Sequence, residues 1–215
     1  MGEQVVSVER RGAVATVWLD RAEARNAMGL AFFDQLPTAM AEVSADRQVR
    51  AVVVAAKGPA FSVGLDLKAM GQILTGSLSE TGGGGSDEPA AQSAGARALA
   101  ARPAIVRLQQ SISSVADCPK PVIAAVQGYC IGGGINLASA CDIRLASADA
   151  KFSVRETKVA IVCDLGALQR LPHIIGQGQL SELAYTGKDI DAQRAKEIGL
   201  VNDVLPDAEA VQKAA

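Results

Sequence analysis

Two continuous apolar runs do most to limit the folds open to this chain. Residues 50–58, RAVVVAAKG, form a short apolar stretch that ends in glycine, the pattern of a strand buried on both faces. Residues 118–128, CPKPVIAAVQG, carry prolines that a strand start admits and a helix interior forbids. Around them, alternation in QVVSVE and AVATVWLD on either side of Arg11–Gly12 reads as a β-hairpin. Helical periodicity runs over 29–45, with Leu30, Phe33, Leu36, Met40 and Val43 on one face, and a second helix is expected over 96–116. Beyond residue 133 the pattern predicts a helix, the strand CDIRLASA, the short strand KFSV, and two or three helices separated by Gly176, Gly178, Gly187 and Gly199. Strands alternating with helices argue for an α/β fold of repeated ββα or βα units. Residues 71–95, including TGGGGSDEPAAQSAG, are small, polar and glycine-rich, and are expected to form a mobile surface loop within one domain.

The remaining composition excludes several function classes. A net charge of −2 with no dense basic run, two Tyr and one Trp offers neither a phosphate-tracking surface nor a stacking platform, so no nucleic-acid partner is expected. The start MGEQVVSVERRG is charged where a signal peptide needs an apolar core, and no apolar run approaches the length of a membrane span; the expectation is a cytoplasmic protein without a membrane partner. Cys118, Cys130, Cys141 and Cys163 lie in apolar surroundings without a C-x-x-C pair, which favours buried small side chains over disulfides or metal. The single His173 has no partner histidine and is assigned no chemistry.

The features that carry chemistry are two glycine turns and two acids. In YCIGGGINLASACDI, three glycines precede a helix starting near Gly133, where unpaired backbone N–H groups and the positive end of the helix dipole suit an oxyanion. Close packing of the helix against a strand is the competing explanation of the triplet. Neither a dinucleotide fingerprint nor a phosphate loop is present. In KGPAFSVGLDLKAM, residues 57–70, Gly64-Leu65-Asp66 stands at the start of what reads as another helix; two such turns can aim two N–H groups at one oxygen. Glu156 and Asp164 are eight residues apart, and a loop between them would let both carboxylates face one pocket, where burial favours proton exchange near neutral pH. The alternatives are that Asp164 caps the helix of LGALQRL and that Glu156, between Arg155 and Lys158, is a solvated charge.

Taken in order, RAEARNAM (21–28), GPAFSVGLDLKAM (58–70), CPKPVIAAVQGYCIGGGINLASACDIRLAS (118–147) and AKFSVRETKVAIVCDLGALQRLPHIIG (150–176) resemble the crotonase superfamily of enoyl-CoA hydratases and isomerases. The resemblance runs from about Val5 to Pro206. It implies an α/β crotonase-like spiral of ββα units over 1–205, with 206–215 as the start of a C-terminal helical segment that is otherwise missing or incomplete. It also implies an acyl-CoA thioester substrate, with coenzyme A part of that substrate and no separate cofactor or metal, and assembly as a homotrimer or dimer of trimers.

By position in the motifs, the N–H groups of Leu65 and Gly133 would form the oxyanion hole. Ala24, Arg25, Ala27, Ala60, Gly64 and Gly132 would contact the CoA portion, and Lys68 would approach its phosphates. Hydratases of the family carry acids at the positions of Asn136 and Glu156. An amide at 136 can orient water or substrate but cannot relay a proton. Hydratases usually have glycine at the position of Asp164, whereas the dienoyl-CoA isomerase branch has aspartate there, in a run similar to CDLGALQRLP; that branch too normally has an acid at position 136. The resemblance therefore implies a double-bond isomerase that shuttles a proton between Glu156 and Asp164. The alternatives are a hydratase using Glu156 and a catalytically weak acyl-CoA binder.

Overall fold

The computed structural model describes residues 3–71 and 94–215. The segment expected to be a mobile loop, 71–95, falls outside these except at its ends. Strands β1 (Val6–Arg11) and β2 (Val14–Leu19) form the expected hairpin, in the register Val6–Leu19 to Arg11–Val14. Parallel strands β3 (Ala51–Ala56), β4 (Val122–Val126), β6 (Ile143–Ser147) and β9 (Asp203–Leu205) extend it into a six-stranded sheet of order β1-β2-β3-β4-β6-β9.

A second sheet contains β5 (Tyr129–Ile131), β7 (Lys151–Ser153) and β8 (Ile190–Asp191). Its first two strands follow β4 and β6 directly, so the chain steps from the large sheet to the small one and then into a helix. After β3 it does the same through a parallel bridge between Ser62 and Cys130. This repeated step is the ββα unit. The helices described over their full length are α1 (Leu30–Ala45), α2 (Ala94–Ala116), α3 (Gly133–Ser139), α4 (Ala167–Ile175), α5 (Gln177–Thr186), α6 (Ala192–Glu197) and α7 (Ala208–Ala214).

The continuous apolar strands have the cause their sequence suggests. Val52 and Val54 face the main core with Phe33, Leu36 and Ile112, while Val53 and Ala55 face a second cluster with Ala125 and Val211 of α7. Both faces of β3 are covered, so alternation has no role there. Asp207 caps α7 by accepting from the Ala210 N–H at 2.8 Å, which holds Val211 over the sheet. One expectation fails within α1. Leu30, at its first residue, is 49% exposed, and the buried stripe is Phe32, Phe33, Leu36, Ala39, Met40 and Val43.

All four cysteines are free, and three are buried; burial pushes the Cys130 and Cys163 thiols well above their ordinary range. His173 is exposed in the last turn of α4. Among the described residues no helix is long and apolar enough to cross a membrane.

Candidate active site

Gly64 closes the turn after β3 with φ +88°. A Cβ at this position would lie 2.8 Å from the Ile131 carbonyl oxygen and 3.1 Å from the Gly133 nitrogen, so the turns Gly64–Leu65 and Gly132–Gly133 can touch only because residue 64 has no side chain. The turns are pinned together from several sides. Ser62 N–H donates to the Tyr129 carbonyl at 2.8 Å, and Ile131 N–H donates to the Ser62 carbonyl at 3.0 Å. Met28 N–H donates to the Gly64 carbonyl at 2.8 Å, Asp66 N–H to the Met28 carbonyl at 2.9 Å, and Gly132 N–H to the Ser153 carbonyl at 3.0 Å. After Asp66 the chain turns, with Met70 N–H donating to the Asp66 carbonyl at 2.8 Å, and Gly71 is helical.

Among the described residues the N–H groups of Leu65 and Gly133 donate to no protein acceptor. Gly133 is the first residue of α3, where intrahelical acceptors are absent by geometry. Both residues line a cavity of about 360 Å³. Gly134 serves packing, since a Cβ there would sit 2.9 Å from the Ser62 carbonyl oxygen. Close packing also acts at Gly133, where a Cβ would sit 2.9 Å from Met28 Sδ.

Glu156 and Asp164 line the same cavity. Glu156 opens a 3-10 turn, Glu156–Val159, and its carboxylate stands against the Gly132 turn; Oε1 lies 3.6 Å from where a Cβ of residue 132 would be. Oε1 accepts from Asn136 Nδ2 at 3.1 Å, and Oε2 is buried with no hydrogen-bond partner. Asp164 is half-buried, and burial raises its carboxyl above the ordinary carboxylate range. It caps no helix, because α4 begins at Ala167 behind Gly166. Nor is Glu156 simply solvated, since the neighbouring Arg155 turns away to pair with Asp189.

Asn136 differs from its expected place. It is 1% exposed and is not among the residues that line the cavity, which it meets through Glu156. Its Nδ2 donates to the Gly132 carbonyl at 3.0 Å as well as to Glu156, and its Oδ1 accepts from the Ala167 N–H at 2.8 Å. The side chain thus joins the glycine turn, the Glu156 carboxylate and the start of α4.

Of the residues expected to hold the CoA portion, Arg25, Gly64 and Gly132 line the cavity; Ala24, Ala27, Ala60 and the exposed Lys68 do not. The sequence reading missed Asn26, which is buried and clamps this stretch to the loop after β3. Its Nδ2 donates to the Lys57 and Ala60 carbonyls at 2.9 and 2.8 Å, and its Oδ1 accepts from the Arg21 N–H at 2.9 Å. It also missed the Arg155–Asp189 ion pair on the cavity wall, where the guanidinium holds the Asp189 carboxyl below its usual range. Proximity to Glu156 flagged Arg155, but no local pattern marks Asp189, 34 residues away. The rest of the wall is largely apolar, including Val63, Ile131, Ile161 and Val162.

The sequence profile of the enoyl-CoA hydratase/isomerase family matches residues 9–82 and 73–215. A mitochondrial Delta(3,5)-Delta(2,4)-dienoyl-CoA isomerase of Dictyostelium discoideum is 41% identical over 90% of this chain and 62% of its own length. The protein of the same name from Rattus norvegicus is 39% identical over 99% of this chain and 61% of its own. This chain therefore spans about three-fifths of the length of these relatives. A crystal structure of an enoyl-CoA hydratase from Bacillus anthracis superposes with a TM-score of 0.81 at 32% identity, covering 98% of this chain and 73% of that one.

Proposed function

Because this chain belongs to the enoyl-CoA hydratase/isomerase family, the crotonase superfamily, we propose that it isomerises the double bonds of a di-unsaturated acyl-CoA thioester. The observation that carries the proposal is the meeting of the Gly64–Leu65 and Gly132–Gly133 turns beside two carboxyl groups in one largely apolar cavity. The thioester oxygen accepts from the Leu65 and Gly133 N–H groups, which lack protein acceptors among the described residues. Glu156, whose Oε2 is buried and unpartnered, removes a proton from the carbon next to the thioester. The electron pair moves into the carbonyl to give a dienolate held by the two N–H groups.

Asp164, kept protonated to higher pH by burial, returns a proton at the far end of the conjugated system. The double bonds shift toward the thioester, and Glu156 and Asp164 then recover their starting states by exchange with solvent. Coenzyme A is part of the substrate in this scheme, with Arg25, Gly64 and Gly132 on the cavity wall beside it. A homotrimer or dimer of trimers, and a cytoplasmic location, complete the proposal; sedimentation and cell fractionation test them.

Two measurements test the chemistry. A panel of mono- and di-unsaturated acyl-CoAs, followed by ultraviolet absorbance, should give turnover with a 3,5-dienoyl thioester. In heavy water, Glu156→Gln and Asp164→Asn should each lower net double-bond migration by about 10² or more, the scale of a lost general acid or base. Full activity in both variants removes the proposal. Hydration of a 2-enoyl thioester that needs Glu156 but not Asp164 would instead favour the hydratase reading, and binding without turnover the reading as an acyl-CoA binder.

A further inference from the structure

The stretch that carries Asp164 has little backbone support. After Ile161, whose N–H donates to the Glu156 carbonyl at 3.1 Å, the chain runs to Ala167 before helical bonding resumes. Among the described residues the Asp164 and Leu165 carbonyls accept only from side chains. Gln109 Nε2, on α2, donates to the Asp164 carbonyl at 2.9 Å. The Arg170 guanidinium donates to the Leu165 carbonyl at 3.3 Å and to Ser113 Oγ, also on α2, at 3.2 Å.

Gly166 makes room for this arrangement. Its φ is +108°, and a Cβ would fall 2.0 Å from an Arg170 guanidinium nitrogen. The guanidinium therefore lies across the bend of the loop, and no side chain can share the space.

Resting on the isomerase reading, we propose that Gln109 and Arg170 are positioning residues that hold Asp164 against the cavity from α2 and α4. Neither lines the cavity, and each acts on the backbone at or next to Asp164. Glu156 is held by Asn136 and the Gly132 turn, with no hydrogen bond from Gln109 or Arg170 among the described residues. Loosening the α2 contacts should displace the second proton-transfer group and leave the first in place.

Gln109→Leu and Arg170→Met remove the donors. In heavy water, deuterium exchange at the carbon next to the thioester should stay within about threefold of the native rate. Net double-bond migration should fall by about tenfold to a hundredfold, the cost of moving a reacting group by about an ångström. The ratio of exchange to migration therefore rises. Parallel losses of both, or no loss of either, overturn the proposal, because a role in folding or substrate binding alone leaves the ratio unchanged.

A measurement independent of turnover separates this inference from the assignment of function. With ¹³C-labelled aspartate, and Asp164→Asn to assign the signal, the Asp164 carboxyl should titrate above the ordinary range in the native protein. In both variants it should move back toward that range as the carboxyl swings to solvent. An unmoved titration in folded variants refutes the positioning role whether or not the native protein isomerises dienoyl thioesters. A native protein that neither exchanges nor isomerises refutes the functional reading and leaves the titration to decide the positioning role. If Arg170→Met does not fold, Gln109→Leu, at a half-buried helix site, supplies both readouts.

Discussion

Gly64 meets two constraints that no other residue type meets together: a φ of +88°, and backbone atoms at 2.8 and 3.1 Å from where its side chain would begin. Gly64→Ala has to part the two turns or strain the backbone. Either outcome pulls the Leu65 and Gly133 N–H groups away from a shared oxygen, so kcat/KM should fall by about 10² to 10³, as when one oxyanion donor is lost. Gly178→Ala is the control: nothing lies within 4 Å of its Cβ, and it sits in the first turn of α5. It should leave the rate unchanged and the melting temperature level or slightly raised.

Asp164 gives a second prediction at this scale. Its folded carboxyl titrates above the unfolded value of about 3.9, so the folded state keeps the proton to higher pH. The stabilisation is complete below that value and is lost as pH rises through the folded one. Asp164→Asn, which mimics the protonated acid, should melt about 2 °C above the native protein at neutral pH, with the gap closing below about pH 4. The proposed isomerase rate should fall over the same rise in pH, as the acid loses its proton. At the residue scale Asp164 and both glycine turns stand out because each breaks an apolar run, while Glu156, in the polar stretch RETK, stands out only by its spacing from Asp164. Asn26 and Asp189 escaped notice because their partners lie far along the chain.

The elements were legible to within a few residues wherever a strong period or an apolar run defined them. The hairpin, β3, β4 and α1 fall where alternation, apolar runs and helical periodicity put them. Leu30 misled because it begins α1, where a residue can follow the helical period without being covered by a neighbour. Asp164 resembled a helix cap because a short polar residue precedes LGALQRL, yet the left-handed Gly166 delays α4 to Ala167.

Asn136 was the hardest residue to read, because its role joins three elements. Its amide satisfies the Ala167 N–H, the Gly132 carbonyl and Glu156 Oε1 at once. Asn136→Leu keeps the branched shape but strands the Ala167 N–H and Glu156 Oε1 in a buried setting, while the Gly132 carbonyl still accepts from the N–H of residue 136 at 3.1 Å. Each unsatisfied buried group costs about 1–3 kcal/mol, so unfolding in urea should show a loss of at least about 2 kcal/mol. The rate should drop as well, since the Glu156 carboxylate loses its donor. An unchanged urea midpoint would mean that the two groups find other partners.

At the scale of the molecule, the candidate site exists because strands from successive ββα units each end beside the next. The large sheet brings the ends of β3 and β4 side by side, and the Ser62–Cys130 bridge carries that adjacency into the glycine turns. No local stretch encodes this convergence; it follows from parallel pairing of strands some seventy residues apart, such as Val52 with Val122. Binding should therefore report on the whole fold. On the proposed function, a saturated acyl-CoA, with the thioester but no double bond to move, should occupy the site without turnover. At about a hundred times its Kd, measured by calorimetry, it should stabilise the folded state by about 2.7 kcal/mol. Glu156→Gln and Asp164→Asn should show nearly the same gain, because their carboxyls act on carbons remote from the CoA portion. Gly64→Ala should show a smaller gain at equal ligand concentration, since its separated turns grip the thioester oxygen less well. Equal gains in all four proteins would mean that the acyl-CoA binds elsewhere on the surface and that the meeting of the two turns serves packing alone.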